Sequence, residues 1–192
     1  MYNLVLFGPP GAGKGTQSEM IIEKFNLTHI STGDLFRKHL GEGTEQGKLA
    51  QKYMDEGNLV PDEVVIKMVE LKITSDNSSN GFIFDGFPRT VKQAKALDQL
   101  LEKQGTEISG MILLDVDEFE LINRIMLRGK SSGRSDDQDI NKVNNRIKVY
   151  KKETLPVATY YEEQGKLNKI IGVGSVDNIF SDISEVIESL PH

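Results

Sequence analysis

The sequence predicts an α/β fold built on a five-stranded, mostly parallel sheet, on the strength of three observations. Short apolar runs at residues 4–7, 28–30, 81–84, 111–116 and 169–173 have the length and content of buried strands. Stretches with apolar residues at helical spacing separate them, and such alternation implies a parallel sheet covered on both faces. A glycine-rich loop, Gly8-Pro9-Pro10-Gly11-Ala12-Gly13-Lys14-Gly15-Thr16, joins the first strand to the first helix. The 192 residues suffice for one core domain carrying inserted lobes.

In chain order, Leu4-Val5-Leu6-Phe7 ends at Gly8, and Met20, Ile21, Ile22 and Phe25 then share one helical face. The second strand ends in Ser31-Thr32-Gly33-Asp34, and the helix that follows carries Arg37 about one turn in. Residues 30–81 hold two or three helical patterns, too many for one crossover, so an inserted lobe is expected there. A helix starts near Pro61-Asp62-Glu63, with acidic residues at its positive end. Residues 75–80 read as a polar loop. The third strand runs into Asp85-Gly86-Phe87-Pro88-Arg89, followed by a helix over 91–103. After the fourth strand, Asp115 and Asp117 read as structural, and a helix over 119–128 places Arg124 and Arg128 one turn apart. A bound anion would make sense of that pair, and so would pairing with Glu120 or Asp117. Gly129-Lys130-Ser131-Ser132-Gly133, bracketed by arginines, is either a mobile flap over a phosphate site or an ordinary exposed turn. The last helix starts at Ser175, a good cap, with Ile179, Ile183, Val186, Ile187 and Leu190 on one face.

Composition narrows the function. The net charge of −6 argues against a general nucleic-acid binder, which needs a basic face. There is no cysteine, hence no disulfide and no thiolate zinc site. His29, His39 and His192 are scattered and read as surface or turn residues. No apolar run could span a bilayer and no basic-then-apolar leader follows Met1, so a cytoplasmic protein is expected.

The glycine-rich loop is a phosphate cradle in its expected strand-loop-helix context. Glycines let backbone N–H groups close on an anion, the helix start adds partial positive charge, and Lys14 adds a full one. The general pattern has Ser or Thr directly after the lysine to bind magnesium; here Gly15 intervenes before Thr16. That points to a metal held mainly by nucleotide phosphates and water. An apolar strand ending in aspartate is a common magnesium device of such proteins, which makes Asp85 a candidate, directly or through water. The loop, residues 31–34 and residues 85–89 each follow a strand, so all three should face one crevice. Only six of the 23 basic residues are arginine: Arg37, Arg89, Arg124, Arg128, Arg134 and Arg146. Arginine's planar fork grips phosphate with two hydrogen bonds, so sparing use fits a reserve for phosphates.

With the cradle, Ser31-Thr32-Gly33-Asp34, Asp85-Gly86-Phe87-Pro88-Arg89, and Gly133-Arg134 before Asp136-Asp137, the chain resembles the adenylate kinase family over essentially its whole length. The Gly15-Thr16 variation is the form seen in that family. The resemblance implies the phosphate-loop nucleoside monophosphate kinase fold, a five-stranded parallel sheet flanked by helices. It implies an AMP-binding helical insertion over 31–60, a short lid over 127–137, and a core of 1–30, 61–126 and 138–192. It implies reversible transfer from MgATP to AMP giving two ADP, in a monomer with no nucleic-acid or membrane partner and no zinc. ATP would lie on Gly11, Ala12, Gly13, Lys14, Gly15, Thr16, Arg124, Arg128 and Gly174. AMP would lie on Thr32, Arg37, Asn58, Leu59, Val60, Gly86, Phe87, Pro88, Arg89 and Gln93. Arg134 and Arg146 would reach from the flap side, although the spacing between them is one residue longer than in some relatives. Lys14, Asp85, Arg89, Arg124, Arg128, Arg134 and Arg146 would carry the transfer.

Two other functions compete. Relatives that phosphorylate UMP or CMP usually carry Ala and Asn where Thr32 and Gln93 stand, which favours AMP. A GTP switch would need Asn-Lys-x-Asp, and Asn141-Lys142-Val143-Asn144 and Asn168-Lys169-Ile170-Ile171 both lack the aspartate.

Overall fold

The protein is described here by a computed structural model covering residues 2–76 and 80–191. The readings of His192 and of the middle of the 75–80 loop fall outside the described residues.

Strands β1 (Tyr2–Phe7), β2 (Thr28–Ser31), β3 (Gly81–Asp85), β4 (Gly110–Asp115) and β5 (Leu167–Ile171) form one sheet in the order β2-β3-β1-β4-β5. Every pairing is parallel, with Leu4 opposite Ile83 and Val5 opposite Met111. Strand side chains alternate between faces, and both faces are apolar here. Val5, Phe7, Phe82, Phe84, Met111 and Leu113 pack on one side against helices α4 (Asp62–Ser75), α5 (Val91–Glu102) and α8 (Leu155–Glu162). Leu4, Leu6, Ile83, Ile112 and Leu114 pack on the other against α1 (Lys14–Phe25), α6 (Glu118–Gly129) and α9 (Val176–Ser189). Each fully buried aliphatic side chain contributes about 1.5–3 kcal/mol, and this double burial holds the central strands.

Helices α2 (Thr32–Gly41) and α3 (Glu45–Asp55) pack on each other between β2 and α4. Between β4 and β5 the chain also forms α7 (Ile140–Val149), which is joined to α8 by a π-helical turn at Tyr150–Thr154. A small third cluster, Ile125, Val143 and Ile147, fixes α7 on α6.

The cap read from sequence at Ser175 is present, and a second occurs at Asp117. Ser175 Oγ accepts from the Asn178 N–H, and Asp117, expected to be structural, caps α6 by accepting from the Glu120 N–H. One strand is displaced: β5 occupies Leu167–Ile171 rather than 169–173. Leu167, Asn168 and Lys169 pair with Met111, Ile112 and Leu113, while Val173 lies beyond the sheet and half exposed. Pairing to β4, not apolar content, decides where this edge strand begins.

Candidate active site

The carboxyl ends of β1, β2 and β3 open into a cleft of about 700 Å³ whose walls continue onto α6 and α7. All six arginines line it, although they come from five separate stretches of sequence. In an acidic chain this is a strong local concentration of positive charge.

The glycine-rich loop forms one wall. Gly13 caps α1 with a left-handed backbone (φ 96°) and no side-chain cap, leaving the first N–H groups of the helix for an outside acceptor. Gly11 (φ 84°) packs directly on α6, where an added Cβ would stand 2.8 Å from Ile125 Cγ1. Lys14 folds back over the loop, its Nζ donating to the carbonyls of Gly8 (2.9 Å) and Pro9 (3.1 Å). Burial lowers its pKa to about 8; Arg89, Arg146 and Arg128 push the same way and Asp85 opposes them. Gly15 and Thr16 face the cleft, whereas Ala12 is buried behind it.

The floor is Asp85, at the end of β3. Burial raises its pKa, but nearby His29 and Lys14 outweigh that and hold the carboxyl below the usual range. The His29 contact is long, at 3.9 Å. Beyond Asp85 the chain turns through Gly86, Phe87 and Pro88, with the Phe87–Pro88 bond cis, and all three line the cleft. Arg89 is held by its Nε donating to the Gly86 carbonyl (2.8 Å). Although the Arg89 side chain is open to solvent, crowding by the cleft walls, then the charge of Arg146, lowers its pKa. Burial and the charges of Arg37 and Arg128 do the same to Arg134. Among the described residues no carboxylate lies within ion-pair distance of either Arg89 or Arg134.

The remaining arginines have acidic partners. Arg37 pairs with Asp34. Arg124 pairs with Glu120 (2.7 Å), the pairing alternative open from sequence, and donates to the Gly172 carbonyl (3.0 Å). Arg128 grips Asp137 with two hydrogen bonds, at 2.7 and 2.9 Å. Arg146 joins the same carboxylate at 2.6 Å and Asp136 at 3.0 Å. Asp137 is fully buried. Burial raises its pKa, and the bonds and charge of Arg128 override that to lower it.

On the side nearer α3, Asn58 and Leu59 line the cleft, and Val60 lies behind them on an adjoining groove of about 490 Å³. Like Ala12 and Val60, three further expected residues stand outside the cleft lining. Thr32 is buried, its hydroxyl donating to the Gly86 carbonyl at 2.8 Å. Gln93 is buried too: its Oε1 accepts from the Arg89 N–H (2.7 Å) and its Nε2 donates to Asp62 (2.8 Å). Gly174 is exposed and also off the cleft wall, two residues past the Gly172 carbonyl that Arg124 holds.

The donor set suits Mg²⁺, a hard ion that keeps several waters and takes one or two carboxylates plus phosphate oxygens. The charged Asp85 and the Thr16 hydroxyl both face the cleft. Among the described residues no group of three or more His, Cys, Asp or Glu could hold a metal on its own, so phosphate oxygens would complete the shell. Sequence reasoning missed Tyr150 and Thr154, which the π-helical turn brings to the cleft wall. It also missed Asp136 and Asp137 as arginine partners, although both stand in the motif beside Arg134 that signalled the site.

A family model described as adenylate kinase matches residues 6–166. The chain is 50% identical over 190 residues to a protein of Flavobacterium psychrophilum, covering 99% of this chain and all of that one. With the same coverage it is 48% identical to a protein of Phocaeicola vulgatus and 47% identical to one of Bacteroides fragilis. Each of the three bears the name adenylate kinase.

Proposed function

The chain belongs to the adenylate kinase family, whose members move a phosphoryl group reversibly between ATP and AMP to give two ADP, and we propose that the arginine-lined cleft is where this phosphotransferase works. In that reading Gly11, Ala12, Gly13, Lys14, Gly15 and Thr16 hold the ATP phosphates, with Arg124, Arg128 and Gly174 on the nucleotide. AMP takes the opposite end, at Thr32, Arg37, Asn58, Leu59, Val60, Gly86, Phe87, Pro88, Arg89 and Gln93. Arg134 and Arg146 reach the phosphates between them. The observation that carries the reading is the convergence of six arginines on one cleft, two of them with no carboxylate partner among the described residues.

The mechanism needs no catalytic base. An oxygen of the AMP phosphate attacks the γ-phosphorus while its bond to the β-phosphate oxygen breaks, and the electron pair leaves with ADP. The chain's part is to bring two polyanions together and neutralise charge spread over the moving group's oxygens. Lys14 follows that group, and Arg89 and Arg134 offer forks that no carboxylate among the described residues engages. Adenylate kinases use Mg²⁺ with ATP; here Asp85 would hold the ion through water, and the ion would supply further charge neutralisation. The lobe at 31–60 and the lid at 127–137 would close over the two nucleotides and exclude water that would otherwise hydrolyse ATP.

We place the protein in the cytoplasm as a monomer serving nucleotide synthesis, with no nucleic-acid or membrane partner. No helix among the described residues is long and apolar enough to cross a membrane. ADP formation from MgATP with AMP, CMP, UMP or GMP as separate acceptors tests the acceptor assignment. Turnover should be rapid with AMP alone. Preference for a pyrimidine monophosphate would overturn the AMP site.

A further inference from the structure

One contact joins the two ends of the cleft and has no part in the roles assigned above. At the exit of α3 the chain turns through Glu56, Gly57 and Asn58, with the Asn58 N–H donating back to the Tyr53 carbonyl at 2.8 Å. This turn sits on α7. Asn145 Nδ2 donates to the Glu56 carbonyl (2.7 Å) and to Asn58 Oδ1 (3.1 Å), across nearly ninety residues of sequence. Both N–H bonds of the Asn145 amide are thereby used. Asn58 in turn donates its own amide to the Glu56 carboxylate (3.0 Å), which fixes which way its side chain faces. Gly57 lies flat on the same helix: its φ is +73°, and an added Cβ would stand 2.9 Å from Arg146 Cγ and 3.0 Å from the Lys142 carbonyl. The residue after Asn145 is Arg146, whose guanidinium enters the cleft between Asp136 and Asp137.

We infer that Asn145 is a positioning residue for the acceptor: by holding the Glu56 carbonyl and the Asn58 side chain it ties the turn that leads into Leu59 to the helical turn that carries Arg146, and so sets the spacing between acceptor and transferring phosphate. The inference rests on the reading of that end of the cleft as the AMP site. The physical argument is geometric. The clasp is partly solvent-exposed, so it adds little to global stability. A backbone strand that touches a ligand, however, must be held within a fraction of an ångström, and losing its tether shows as weaker binding of that ligand. Asp in place of Asn145 keeps the shape but cannot donate, and it sets carboxylate oxygens against the Glu56 carbonyl and Asn58 Oδ1, which are both acceptors.

The test is steady-state kinetics of Asn145→Asp and Asn145→Gln, with Arg37→Ala, at a position that lines the cleft, as a reference for the AMP site and melting curves for all. Asn145→Asp should raise KM for AMP about five- to tenfold. KM for ATP should stay within twofold and the melting temperature should be nearly unchanged. Asn145→Gln, which keeps the donor, should recover part of the loss. An unchanged KM for AMP, with Arg37→Ala raising it, would overturn the positioning role alone. If neither variant moved it, the AMP reading of this end of the cleft would fall as well. Equal rises for both nucleotides, or a loss that tracks melting temperature, would reduce Asn145 to a structural residue.

Discussion

Lys14 shows how one side chain can be held at odds with its ordinary chemistry. Its ammonium is placed where burial lowers the pKa from 10.5 to about 8, so a phosphate charge is the natural offset. Two pH effects of opposite sign follow. Between about pH 8 and 10.5 the folded chain binds fewer protons than the unfolded one, so this residue makes stability rise with pH, and below 8 the full cost of charging it is borne. Nucleotide binding goes the other way, because the cation is lost above about 8. We therefore expect kcat/KM for ATP to fall above about pH 8, and Lys14→Arg, which stays charged, to show no such fall whatever its absolute rate. A flat wild-type profile to pH 9.5 would refute the assignment. At this scale the sequence was legible where residue type alone carries the chemistry: six scarce arginines, Asp85 and Lys14. It was not legible where direction matters. Thr32 and Gln93 have the expected types, yet their polar ends are taken up by the Gly86 carbonyl, the Arg89 N–H and Asp62. Type and spacing do not say which way a side chain turns.

At the scale of elements, the phosphate loop and α6 form one unit, because Gly11 touches Ile125 and the Leu121 carbonyl. Gly11→Ala should therefore damage the ATP side in particular, through both strained backbone and a forced gap against α6. KM for ATP should rise at least tenfold, with some loss of melting temperature and KM for AMP within twofold; calorimetric titration of each nucleotide checks it. Central strands were readable because burial on both faces makes them continuously apolar. The edge strand β5 was not, since Leu167-Asn168-Lys169 gains its place by pairing with β4 while the apolar Ile171 and Val173 end up exposed. The π-helical turn at Tyr150–Thr154 had no local signal at all.

For the whole molecule, the sheet topology explains why distant segments meet. Parallel strands deliver their carboxyl ends to one edge, so the loop after β1, the segment after β2 and the turn after β3 share a cleft without being near in sequence. The helices α6 and α7 then bring Arg124, Arg128 and Arg146 from the far side, and the segment between them brings Arg134. In a chain whose overall net charge is −6, this cleft is the place where polyanions are drawn. If these arginines act on the moving phosphoryl group, Arg89, which has no carboxylate within ion-pair distance among the described residues, is the most exacting place to test that role. Turnover of Arg89→Ala with MgATP and AMP, measured beside its melting curve, is the decisive experiment. The account predicts a fall in kcat/KM of about a hundredfold or more at an unchanged melting temperature. Turnover within threefold of the parent chain would contradict it.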